Sequence, residues 1–582
     1  VRKFLIGLVA GFLLAGLTVV ILVFAAAKLG DRPPAVPEKG TLVVKLEGAL
    51  PEQAPVSIPL PWFESHSPMT MHEVWDIFRK AEKDSRVQAI VVEPSELAVG
   101  WARLTEIRDA MVRFKRSGKP LIAYLRGPGA REYFLATAAD EIYFSREDVL
   151  DLKGLRAEIT YYRRTLDKLG IQLELEHAGK YKDAGDAFTR TSMSPETREV
   201  LNSMLDIVFN QLVDTIAAAR KQPSAKVREL IDQGPFLAPK AVEAKLLDGL
   251  LYPEQVFDQL KTRLKAKEIK RISARDYARV SGASLGLDGG KSIALVVGEG
   301  AISRGGEIDP LGEEEGIRSR PFIQLLRKVA DDTSIRAAIL RINSPGGDAI
   351  ASDEILDAVR YLSKKKPLVI SMSDLAASGG YYIAMTGDPV VAYPSTITGS
   401  IGVIYGKPNM RGLYDKLGFD TDVLTRGQYA EIDGLYKPLS PAERKKLREG
   451  VDFVYQSFLA RVSEGRRRPV AEIEPVAQGR AWMGVQAKQQ GLVDELGGFD
   501  RAIELVRQRA GIGANEKIRL VMFPRRRSLL EQILKSSEEP VAEVIARKRV
   551  NQWMRRMGLG SSFQVLLSGG YLRMAPYQVD FR

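Results

Sequence analysis

A serine followed by two glycines, Ser378-Gly379-Gly380, stands between the apolar run Pro367-Leu-Val-Ile-Ser371 and a helix-like segment reaching Met385. At a strand-to-helix turn such a serine presents its hydroxyl, and the glycines let a peptide backbone come close. The chemistry this suggests is nucleophilic attack through an acyl-enzyme. A flexible Ala/Ser/Gly turn fits the same residues, so the serine needs a base and an oxyanion site. Asn343-Ser-Pro-Gly346-Gly347, just past another apolar run, offers backbone N–H groups that a developing oxyanion can use. An ordinary Pro-Gly turn is the plainer alternative there.

Conventional partners for a serine are scarce. The only histidines are His66, His72 and His177, and there is no cysteine, so disulfides, thiolate catalysis and cysteine metal sites are excluded. His177 would need an orienting carboxylate that the sequence does not identify. Acyl transfer by a serine needs no metal and no nucleotide. Gly179-Lys180-Tyr181-Lys182 supplies two candidate bases, and on a strand both lysines would point the same way. A free lysine has a pKa of about 10.4, so either one must be buried to be neutral at pH 7.

These residues sit in a globular composition of 582 residues, 45% hydrophobic and 27% charged, enough for several domain-sized cores. The net charge of +12 comes from scattered basic runs with no interleaved aromatics, which argues against a nucleic-acid partner and for solvated surface or anionic lipid. Residues 4–27 form an uncharged run of 24 (27 − 4 + 1), preceded by Arg2 and Lys3. As a helix it is long enough to span a bilayer, with the N-terminus inside and the body on the opposite side. Ala25-Ala26-Ala27 also resembles a signal cleavage site, but the run exceeds a usual signal core, which favours a retained anchor. A Pro-rich stem leads on to residue 40.

From there the chain repeats itself. Strands are expected at 41–46 and 292–297, at 87–92 and 337–342, and at 120–124 and 367–371, with amphipathic helices at 75–81 and 323–329. Ser194-Pro195 and Ser440-Pro441 mark the starts of long helices, the second with a capping box through Glu443. The pattern is α/β, with two repeats at 41–280 and 292–512, a Gly-rich linker at 281–291 and a tail at 513–582. Within the tail, 541–557 reads as an amphipathic helix. Aligned on Tyr133 and Tyr381, the halves place Ser378 opposite Ala130 (378 − 130 = 248) and Lys182 opposite Ala430 (430 − 182 = 248). Where the second half has its glycines the first has Pro94-Ser-Glu-Leu97. Each half lacks what the other carries, as expected of one composite site.

The combination of Asn343-Ser-Pro-Gly-Gly347, Asp374-Leu-Ala-Ala-Ser378-Gly-Gly-Tyr-Tyr382, Pro394-Ser-Thr-Ile-Thr-Gly-Ser-Ile-Gly402 and Tyr181-Lys182 resembles the long, two-repeat form of the signal peptide peptidase family, also called protease IV. The resemblance runs from the anchor to about residue 512. It implies a tandem Clp-protease/crotonase-type fold and a Ser/Lys dyad, with Ser378 as nucleophile and Lys182 as general base. It further implies that Ser400 hydrogen-bonds the lysine and that Gly346 and Gly379 give the oxyanion N–H groups. The implied substrates are cleaved signal peptides and other short apolar peptides. The implied setting is a bacterial inner membrane with the catalytic body outside the cytoplasm, in a homo-oligomer such as a tetrameric bowl. Two rivals share the fold: a crotonase-type acyl-CoA enzyme, which would use carboxylates rather than Ser378 and Lys182, and a non-catalytic membrane scaffold.

Overall fold

The computed structural model of the chain describes residues 36–54, 68–304, 316–524 and 571–574, besides the single positions Gly7 and Gly11. Apart from those two glycines, the expected anchor at 4–27 lies outside the described residues, as do His66 and the amphipathic stretch 541–557. No helix of the described residues is long and apolar enough to cross a membrane.

Two parallel sheets organise the chain. In the first half the strand order is Gly249–Leu250, Glu141–Phe144, Leu121–Leu125, Val87–Leu97, Gly40–Gly48 and Lys270–Ser273, all pairs parallel. In the second it is Ala481–Met483, Ile397–Gly399, Leu368–Ala377, Ile335–Ser344, Lys291–Glu299 and Ile518–Phe523, parallel except for the first pair. The central strands are apolar on both faces because helices cover both, which is why Leu340, Ile342, Leu368 and Ile370 are wholly buried. The tandem α/β arrangement read from the repeat is therefore present. Lys270–Ser273 and Ile518–Phe523 take the same edge place at the same offset (518 − 270 = 248), so the correspondence reaches beyond residue 512.

The long helices begin where their caps are. Ser194 Oγ accepts the N–H of Thr197 at 3.0 Å before Pro195–Arg220, and Ser440 Oγ that of Glu443 at 3.2 Å before Pro441–Arg466. Both helices run 26 residues.

A third sheet joins the halves, and nothing in the sequence pattern announced it. Its order is Ile317–Arg318, Ile302–Ser303, Gly346–Asp348, Tyr571–Met574, Val403–Asn409 and Gln172–Ala178. One strand comes from the first half, four from the second and one from the tail. The antiparallel ladder from Val403↔Ala178 to Asn409↔Gln172 carries the chain just before Lys182 into the second half.

Candidate active site

Ser378 ends the Leu368–Ala377 strand and caps the short helix Gly379–Tyr382. Its φ of 54° and ψ of −114° lie where side chains are strained, at a cost of about 1–3 kcal/mol. The turn is held by the Ser378 N–H donating to the Gly399 carbonyl at 2.8 Å. As the first residue of its helix, Gly379 has no intrahelical acceptor for its N–H. The neighbouring loop needs its glycines for space: Gly346 has φ 91°, and a Cβ on Gly347 would lie 2.1 Å from the Ile302 carbonyl oxygen. Loop and elbow touch, since a Cβ on Gly380 would meet the Ser344 carbonyl oxygen at 2.6 Å. The Gly346 N–H donates to Ser344 Oγ at 3.1 Å.

Lys182 comes from the other half. Its Nζ lies 2.8 Å from Ser378 Oγ, 3.0 Å from the Ser400 carbonyl oxygen and 3.1 Å from Ser400 Oγ. Lys182 is 2% exposed, and Ser378 and Ser400 are fully buried. The five residues named from the sequence, Ser378, Lys182, Ser400, Gly346 and Gly379, thus meet in one place.

Lys180 does not join them. Its side chain is 61% exposed, with Nζ 3.7 Å from Glu196. The expectation that both lysines share a direction assumed a strand, but the strand stops at Ala178 and Gly179 turns the chain with φ 106°. His177 is exposed on that strand, its Nδ1 3.2 Å from the Gly179 carbonyl oxygen. His72 belongs to the core, stacked on Trp75 at 5.6 Å, and burial lowers its pKa.

Sequence reasoning missed the wall behind the lysine. The Tyr181 N–H donates to the Gln478 carbonyl at 2.8 Å, and the Gly479 N–H to that of Ile401 at 2.7 Å. A Cβ on Gly479 would lie 2.6 Å from both the N and Cβ of Lys182. Gln478-Gly479 sits in a short connection without a motif, marked only in the fold by positive φ angles of 50° and 75°. The tail contributes too. Tyr571–Met574 lies antiparallel between Gly346–Asp348 and the Val403–Asn409 strand, with Met574 opposite Gly346.

The chain matches peptidase family S49 twice, at residues 113–267 and 360–513, and Clp protease at 315–398. It is 36% identical over 475 residues to the chloroplastic serine protease SPPA of Arabidopsis thaliana, covering 81% of this chain and 70% of that one. To protease 4 of Haemophilus influenzae it is 31% identical over 535 residues, 86% of this chain and 84% of that one. A relative in Enterococcus faecium named as a signal peptide peptidase is 32% identical over 219 residues, 38% of this chain and 63% of that one. With two matched domains in tandem and relatives of this kind over most of its length, the chain belongs to peptidase family S49 in its long, two-repeat form, and is a serine peptidase.

Proposed function

We propose that Ser378 is the nucleophile and Lys182 the general base of a Ser/Lys dyad that hydrolyses cleaved signal peptides and other short apolar peptides at a membrane. The observation that carries this reading is the buried 2.8 Å contact between Lys182 Nζ and Ser378 Oγ. Lys182, when neutral, takes the Ser378 proton as the hydroxyl attacks the peptide carbonyl. Burial disfavours the ammonium form of a lysine, and Ser400 orients the amine through its hydroxyl and carbonyl oxygens. The oxyanion takes the N–H groups of Gly346 and Gly379, replacing Ser344 Oγ at the former. Lys182 then protonates the leaving amine, and water releases the acyl group. The Tyr571–Met574 strand supports a peptide substrate, because an extended backbone already fits beside Gly346.

A homo-oligomer is part of the same proposal. Adding 248 to the paired strand 172–178 gives 420–426, and subtracting it from its partner 403–409 gives 155–161. Among the described residues neither counterpart has a strand partner. Residues 155–161 alternate between half-buried and exposed, and Leu424 is 92% exposed. If 420–426 of one copy pairs with 155–161 of the next, the head-to-tail contact can close into a ring.

Hydrolysis of a fluorogenic apolar peptide by the detergent-solubilised protein tests the dyad. Ser378→Ala and Lys182→Ala are each expected to lower kcat by about a thousandfold or more, with Lys180→Ala near the parent rate. Retained activity in either of the first two would remove the dyad. Loss in the third would reassign the base.

A further inference from the structure

Behind the site, a fully buried guanidinium ties the two halves together, and the proposed dyad does not use it. Arg341 lies on the Ile335–Ser344 strand, whose end leads into the Gly346 loop. Its Nη1 donates to Ser371 Oγ at 3.0 Å, and its Nη2 reaches Ser373 Oγ at 3.3 Å, both on the strand that ends at Ser378. The same Nη2 reaches Glu52 at 2.8 Å and Glu106 at 2.9 Å, two carboxylates of the first half. All three charged side chains are at most 6% exposed.

Neighbouring contacts repeat the plan. Asp374 accepts the N–H groups of Gly100 at 2.8 Å and Arg103 at 2.9 Å, and it pairs with the Arg103 side chain. A Cβ on Gly100 would lie 2.4 Å from the Asp374 carboxyl carbon, so the approach needs a glycine. Glu299 accepts the Asn343 side-chain N–H and the Gln53 backbone N–H, each at 3.0 Å. Three strands of the second half, those ending at Glu299, Ser344 and Ala377, are thereby pinned to the half that carries Lys182.

Stability alone gives a poor reason for such a group. Apolar residues of similar volume usually stabilise a core as well as a buried ion triad does. In the first half the position aligned with Arg341 is Glu93 (341 − 93 = 248), which is only half-buried and pairs within its own half with Lys45 at 3.7 Å. What a branched aliphatic cannot do is fix two strands and a foreign helix at a set spacing by directional hydrogen bonds.

Resting on the dyad reading above, we propose that Arg341 is a positioning residue, which sets the Ser378 elbow and the Gly346 loop in register with Lys182 by clamping both strands to Glu52 and Glu106. Misplacement of reacting groups by about 1 Å can cost about a hundredfold in rate without loss of substrate binding. The test replaces the triad by neutral groups, Arg341→Met with Glu52→Gln and Glu106→Gln, in the full-length chain. The expected result is a cooperative melt at or above the parent Tm, KM within about twofold, and kcat lowered about ten- to hundredfold. Labelling of Ser378 by a fluorophosphonate should slow in parallel. A kcat within about twofold of the parent overturns the proposal.

Should the triple variant not fold, Glu106→Gln alone decides when assayed at about pH 8.5, where the carboxylate is ionised, since it keeps an oxygen for Arg341 and removes only the charge. A kcat lowered about threefold or more at unchanged KM, in a chain that still melts cooperatively, supports positioning, and an unchanged kcat overturns it. Ser378→Ala and Lys182→Ala run beside these variants. Activity surviving in those two refutes the dyad itself, a result distinct from any outcome at Arg341.

Discussion

Lys180 and Lys182 stand two positions apart, yet one is solvated and the other lies against a serine hydroxyl. The difference is made by the turn at Gly179 and by Gly479, whose missing side chain leaves room for the Lys182 backbone. Gly479→Ala should therefore push Lys182 off the serine, with kcat falling about ten- to hundredfold and the fold retained. Steady-state kinetics with a melting curve checks this, and an unchanged kcat would show that the contact is slack. Glu106 makes a second residue-scale prediction. Burial, opposed by Arg341 and aided by Glu52, raises its pKa from 4.5 to about 7. A folded chain then keeps a proton that the unfolded chain releases, so the contribution of Glu106 to stability is fully present below about pH 4.5 and is lost as pH rises to about 7. Urea midpoints measured across that window should fall for the parent relative to Glu106→Gln, and parallel curves would contradict the assignment.

At the scale of elements, the strand Tyr571–Met574 occupies a slot that a substrate strand would share. A chain ended at residue 568 should bind apolar peptides with a KM lower by about threefold or more, because the competing occupant is gone. A higher KM would instead make this strand a wall of the binding site. Much of the surrounding architecture was legible. The apolar runs gave the central strands, which extend a few residues beyond the expected spans, and Ser194-Pro195 and Ser440-Pro441 marked both long helices. Ser378 and Lys182 were legible as a pair because each is absent from the other half at one offset. The third sheet was not legible, since its strands are short, come from three separate regions and pair across the repeats. Arg341 was equally hidden: one charge in an apolar run reads as an edge position, while here it is matched by carboxylates far away in sequence.

At the scale of the whole molecule, the repeat leaves one half of a strand pair open at each end, at 155–161 and at 420–426. The detergent-solubilised protein should then run in light scattering as a multiple of its 64.3 kDa chain mass. Leu424→Pro removes a backbone donor from this exposed segment and should release single chains of unchanged stability. An oligomer that survives this substitution must be held by other surfaces.

The wall that seats Lys182 also sets an order in time. The lysine emerges from the ribosome first, the serine almost two hundred residues later (378 − 182 = 196), and the Gly479 that receives the lysine a further hundred residues on (479 − 378 = 101). A nascent chain therefore carries its nucleophile well before that nucleophile has a properly seated base. Synthesis itself keeps this peptidase silent until residue 479 has been made and has folded against Lys182.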